Sequence, residues 1–183
     1  MQGFLRALAV AGVPADQVVW QAGDAPPDLF GLAGETPDAA SAFSVPRAFI
    51  DLARSVIAHN DPQRFALLYQ MLLRLMHEPG SMADRADPLL RRLEGMAKAV
   101  QRDIHKMRAF LRFRQVETDE GPRFVAWFEP EHHIVRMNAG FFVRRFASMH
   151  WSILTPELSV HWDGETLTES PGATKAAAPV GDP

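Results

Sequence analysis

The 183-residue chain contains no cysteine. That one absence excludes disulfides, thiolate nucleophiles, zinc–cysteine sites and iron–sulfur ligation together. Also missing is any apolar run near the roughly 20 residues that span a bilayer. At the start, Arg6 alone precedes a short Ala-rich segment, which makes a poor secretory signal. A cytoplasmic protein without a membrane partner is therefore the expectation. Signatures of nucleotide, acyl and metalloprotease chemistry do not occur either: there is no Walker loop, GxGxxG, GxSxG or HExxH. No cofactor is expected.

What is present reads as a globular protein, with 47% hydrophobic and 22% charged residues. The net charge of −3 is unevenly placed. Residues 1–40 carry one base, Arg6, against five acids, whereas residues 85–114 carry nine bases against three acids. Screening confines such a patch to roughly 8–10 Å, so it attracts phosphate despite the negative total. The plain alternative is a solvated helix face.

Local patterns set out the elements. FLRALAVAG suits a short helix stopped by Gly12 and Pro14, and QVVWQ (Gln17–Gln21) suits a strand. Ser44-Val45-Pro46, Asp61-Pro62 and Asp87-Pro88 each put a capping oxygen near a first-turn proline. Helices are predicted over 46–59, 62–76 and 88–109, broken at Asn60 and at Glu78–Ser81. In the third, Leu89, Leu93, Met96, Val100, Ile104, Met107 and Leu111 make one buried face. Lys98, Arg102, His105 and Lys106 fall opposite. Strands are predicted over 109–116 and 123–129 around a Thr118–Gly121 turn, then a helix over 137–147. A second hairpin, 151–155 with 158–162, turns at Pro156-Glu157. The expected fold is α+β: an antiparallel sheet of about four or five strands packed with three to four helices. It fills one domain over 1–165, with a surface loop over 23–44 and a flexible Pro/Ala-rich tail over 166–183.

Chemistry-bearing residues concentrate between Arg102 and Gly164, which hold three of the four tryptophans and five of the seven histidines. Guanidinium groups hold phosphates and rings stack on bases, so this mixture suits a nucleic-acid surface. Arg102 and Lys106 on the helix, Arg112 and Arg114 beside the first strand, and Arg144 with Arg145 are the candidate contacts. Phe124, Phe128, Phe142 and the tryptophans serve mainly the fold. Glu129-Pro130-Glu131-His132-His133 is the one cluster with metal-ligand residue types, Glu129, His132 and His133 being weak candidates. Adjacent histidines point different ways, so the metal assignment is none. His105 and Asp103, two apart on a helix, do not face each other. Arg144 or Arg145 also suits a buried ion pair with a carboxylate such as Glu129.

RDIHKMRAFLRFR, RFVAWFEPEHHIV, FFVRRFASMHWSILTPE and HWDG, in this order, resemble a bacterial family of unknown function. The likeness covers about residues 85–164, and AVAGVPADQVVWQ extends it weakly to the start. Its members are described as DNA metabolism or repair proteins. They are encoded beside a radical-SAM protein, and some are fused to a uracil-DNA-glycosylase-like domain. The resemblance implies a DNA-repair accessory domain with DNA and one of those proteins as partners. Two rivals stand beside it: an enzyme using His132, His133 and Glu129 or Glu131, and an interaction module for the radical-SAM partner. Family members continue into a further helical region that this chain is expected to lack. No water-activating acidic loop or flipped-base segment of a glycosylase occurs here, so that activity does not carry over.

Overall fold

The computed structural model describes residues 8–9, 11–18, 20, 44–118 and 121–177. These form four α-helices and a five-stranded sheet. The chain divides into two compact units, Met1–Lys98 and Ala99–Pro183, where the sequence suggested one domain over 1–165.

In the first unit, α1 (Arg47–Val56) and α2 (Arg64–His77) match two predicted helices with shifted starts. Ser44 makes no capping bond; the Pro46 carbonyl instead accepts from Phe49 at 3.0 Å and Ile50 at 3.3 Å. Asp61 accepts from the Gln63 amide at 2.8 Å, one residue before the helix opens. Arg64 is buried because its guanidinium satisfies backbone carbonyls of Ile57 and Asp61, at 3.1 and 3.0 Å. Leu67, Leu68, Met71, Leu72 and Leu75 of α2 pack with Phe49, Val56, Leu90, Leu93 and Met96. Tyr69 is fully buried and donates its hydroxyl to the Val13 carbonyl at 2.7 Å. QVVWQ forms no strand among its described residues. Gln17 closes a 3-10 turn, and Trp20 lies against Phe65 and Tyr69, so tertiary packing overrides β propensity here. Leu8 and Ala9 are helical; residues 4–7 and 10 of that segment, and all of the expected 23–44 loop except Ser44, lie outside the described residues.

Helix α3 (Pro88–Phe110) starts as the sequence indicates. Asp87 accepts from the amides of Leu89 at 2.7 Å and Leu90 at 3.1 Å. Its buried stripe is Leu90, Leu93, Met96, Val100, Ile104 and Met107, continued by Leu111 just past the helix end, with Leu90 rather than Leu89 at the first position. No helix among the described residues is long and apolar enough to cross a membrane.

The second unit holds β1 (Arg114–Thr118), β2 (Gly121–Trp127), α4 (Val135–Arg145), β3 (Trp151–Leu154), β4 (Leu158–Trp162) and β5 (Leu167–Pro171). The strands lie side by side in chain order. The α+β class holds, but the sheet is mixed. β2 and β3 run parallel while the other neighbours are antiparallel. Helix α4 joins β2 to β3, and such a crossover returns the chain in the same direction. β5 corrects the tail reading: Leu167–Pro171 is polar in sequence yet pairs fully with β4. Residues 178–183 of that expected tail lie outside the described residues, as do Asp119 and Glu120 at the first hairpin.

One side of this sheet is the core. Trp151, Ile153, Val160 and Ala126 are each 1% exposed or less, and Trp162 donates its indole N–H to the Ala147 carbonyl at 3.0 Å. Phe142 of α4 and Phe113 pack on Trp151. The sheet's other side carries a different set of residues.

Candidate functional site

The second unit brings the predicted cations to three places. Arg102, His105 and Lys106 are exposed on α3, as their spacing requires. Lys106 donates to Glu131 at 2.9 Å. This contact pulls the Glu131 carboxyl below its ordinary range and lifts the Lys106 ammonium above its own. Arg102 makes no hydrogen bond or ion pair among the described residues. Arg112 serves the fold, since its guanidinium donates to the carbonyls of Ala109 at 2.7 Å and Leu111 at 3.0 Å and so closes the C-terminal end of α3. Arg114 is exposed on β1.

Arg144 and Arg145 form the last turn of α4, both exposed. The suggested buried pair with Glu129 does not form. Arg145 lies over the Phe146 ring at 5.6 Å, and Glu129 accepts instead from the Trp127 indole at 2.8 Å and pairs with Lys175 at 3.6 Å. Part of the role of both arginines is to complement the negative end of the helix. Arg108 is spent inside the unit, donating to Asn138 at 2.7 Å beneath the Phe141 ring.

The weak metal candidates do not converge. His132 is buried, and its backbone amide donates to the buried Asp103 carboxylate at 2.9 Å. His133 meets Glu157 at 2.7 Å, and Glu129 is held as described above. No group of three or more potential ligands stands together among the described residues. His132, His133, Arg136, Thr155 and Glu157 line a small cavity of about 200 Å³. Arg136 turns to Glu169, which it holds through two nitrogens at 2.7–3.1 Å. The acidic partner of His133 is therefore Glu157, from the β3–β4 turn. Its distance in sequence hid it.

A second group went unseen because β5 was unseen. Strand register puts Arg114, Val125, Ser152, His161 and Thr168 in one row on the polar side of the sheet. Alternation adds Arg123, Trp127, Leu154, Ser159 and Ser170 to that side. His161 spans three strands: Nδ1 lies 2.8 Å from the Ser152 hydroxyl and Nε2 lies 2.8 Å from that of Ser170. Burial, and then the charge of Arg123, depress its pKa below the usual histidine value. The Arg123 Nε and Ser159 Oγ atoms are buried without hydrogen-bond partners.

The His161 shift has a consequence for stability. As pH falls below the ordinary histidine value of about 6.5, the unfolded chain takes up a proton that folded His161 resists. Its contribution is therefore full above that range and is lost as pH drops. Urea midpoints should fall from pH 7 to pH 5, and less steeply for His161→Gln; parallel declines in the two proteins would refute this assignment.

Among known families, residues 62–176 match the one described as DUF4130, a domain of unknown function. No curated protein and no solved structure matches the chain.

Proposed function

We propose, from the premise that this chain belongs to the DUF4130 family, that its second unit binds nucleic-acid backbone through exposed arginines. One observation carries the reading. The carboxylate pairs of that unit take up Lys106, Arg136 and Lys175, whereas Arg102, Arg144 and Arg145 are exposed and in no ion pair among the described residues. A guanidinium without a carboxylate is suited to a bidentate phosphate contact. Arg114 extends the basic edge onto β1, and Lys106 joins it when phosphate displaces Glu131. Arg112 contributes charge while its hydrogen bonds cap α3. The unit would act in DNA repair or metabolism beside a radical-SAM protein or a uracil-DNA-glycosylase-like domain, as the sequence resemblance implies.

Binding of a fluorescent DNA should weaken steeply with salt, with each phosphate contact adding about 0.7–0.9 to the log–log slope. Arg144→Ala/Arg145→Ala should reduce that slope by roughly 1.5, and Arg102→Ala by a further 0.7–0.9. Thermal melts separate folding from binding, since helix-end cations contribute only about 0.3–1 kcal/mol each. A flat salt response, or unchanged slopes in both variants, would reject the reading.

A further inference from the structure

We infer that the polar side of the five-stranded sheet is a platform for single-stranded nucleic acid, an inference that rests on the backbone reading for its class of ligand and adds the strand form. The two sides of the sheet differ sharply. Trp151, Ile153, Val160 and Trp162 fill one, whereas Arg114, Arg123, Trp127, Ser152, His161, Thr168 and Ser170 share the other. Of the strand positions on this polar side, two carry a guanidinium and none carries a carboxylate. Arg114 and Thr168 are exposed; Arg123, Trp127, Leu154, His161 and Ser170 are half-buried. Glu129, which accepts from Trp127 just past the end of β2, is itself paired with Lys175, so the side keeps a positive balance that suits phosphate.

The ring chemistry narrows the ligand further. Both nitrogens of His161 are engaged by Ser152 and Ser170, so neither is left for a metal or for proton transfer without breaking a bond. What His161 offers is its ring face. Trp127 is similar: its single N–H goes to Glu129, leaving the indole faces. The two rings stand two strands apart and two residues out of row, about 12 Å between their backbone positions, with the apolar side chains of Val125 and Leu154 near them. Successive bases of a single strand stack on rings of this kind while arginines follow the backbone. In a duplex the base faces are already stacked, so a sheet of rings has nothing to receive.

The test compares a fluorescein-labelled 20-nucleotide oligo-dT with a 20-base-pair duplex at one salt concentration. Wild type should favour the single strand. Trp127→Ala should lose about tenfold in affinity for oligo-dT, the scale of one base stack, with little change for duplex. Trp127→Phe should keep most of the affinity. Thr168→Glu, at an exposed position, should weaken oligo-dT binding several-fold without touching the core. Unchanged oligo-dT affinity in both Trp127→Ala and Thr168→Glu, or wild-type preference for duplex, would overturn the platform. Weakening of both DNA forms by the Arg144/Arg145 pair alone leaves the backbone reading standing and removes the platform. A response to Trp127 with none to those arginines does the reverse. Absence of binding to either DNA removes both.

Discussion

Replacing Phe142 by alanine will destabilise the second unit by about 3–5 kcal/mol, the range for deleting a buried phenylalanine. Phe142 is 2% exposed and sits at the meeting point of the unit's rings. Its centroid lies 5.2 Å from Phe141, 6.3 Å from Phe113 and 6.4 Å from both Phe146 and Trp151. Truncation loses the transfer free energy of the ring and leaves a void, because four aromatic neighbours cannot all close in. With a urea dependence of about 1–3 kcal/mol per molar, the midpoint should drop by at least about 1 M. Phe110→Ala is the matched comparison. At 68% exposure it should change stability by no more than about 0.5 kcal/mol. Equal midpoints for the two variants would mean that the ring cluster does not hold the unit together.

A second large effect is expected at Asp87, which does two jobs with one carboxylate. One oxygen accepts from the first amides of α3, and the other pairs with Arg74 of α2. Asp87 is 9% exposed, so alanine removes a cap worth about 0.5–2 kcal/mol and leaves a half-buried guanidinium without its partner. The combined loss should be about 2–4 kcal/mol. Asp87→Asn separates the jobs, since the amide oxygen still caps the helix but carries no charge. It should recover roughly half of the loss in the same urea titration. An asparagine variant as unstable as alanine would place the whole effect on the ion pair, and one as stable as wild type would place it on the cap.

Asp87 was also the most legible feature in the sequence, because aspartate before a helix-initiating proline has one economical geometry. The stripe of α3 and the Trp151–Trp162 hairpin were legible for similar reasons: both depend on periods of three-to-four and two residues. What escaped depended on partners distant in the chain. Leu167–Pro171 reads as a tail because Thr168, Glu169 and Ser170 show no apolar alternation, yet β4 supplies the edge it pairs with. Once that strand is missed, Ser170 is missed as the partner of His161. The parallel pairing of β2 with β3 was equally hidden, since spacing cannot tell a crossover helix from a simple connector. Among the candidate residues, the spacing indicates the exposure of Arg102, Lys106 and Arg114 but not what occupies them, and the buried pair suggested for Arg144 or Arg145 gives way to exposure of both. Glu131 and the carbonyls that Arg112 caps appear only when the chain is folded.

The single parallel seam also orders events in time. β1–β2 and β3–β4–β5 are each built from antiparallel strands adjacent in the chain, and hairpins of this kind close in about 1–10 μs. Joining them requires Phe124 to find Trp151 across the whole of α4. Long-separation pairing of this type is slow, because loop closure must precede the contacts that reward it. Two fast halves therefore await one slow zipper, and α4 must dock its phenylalanines onto Trp151 as that zipper closes. Phe142 belongs to the closing step as much as to the finished core.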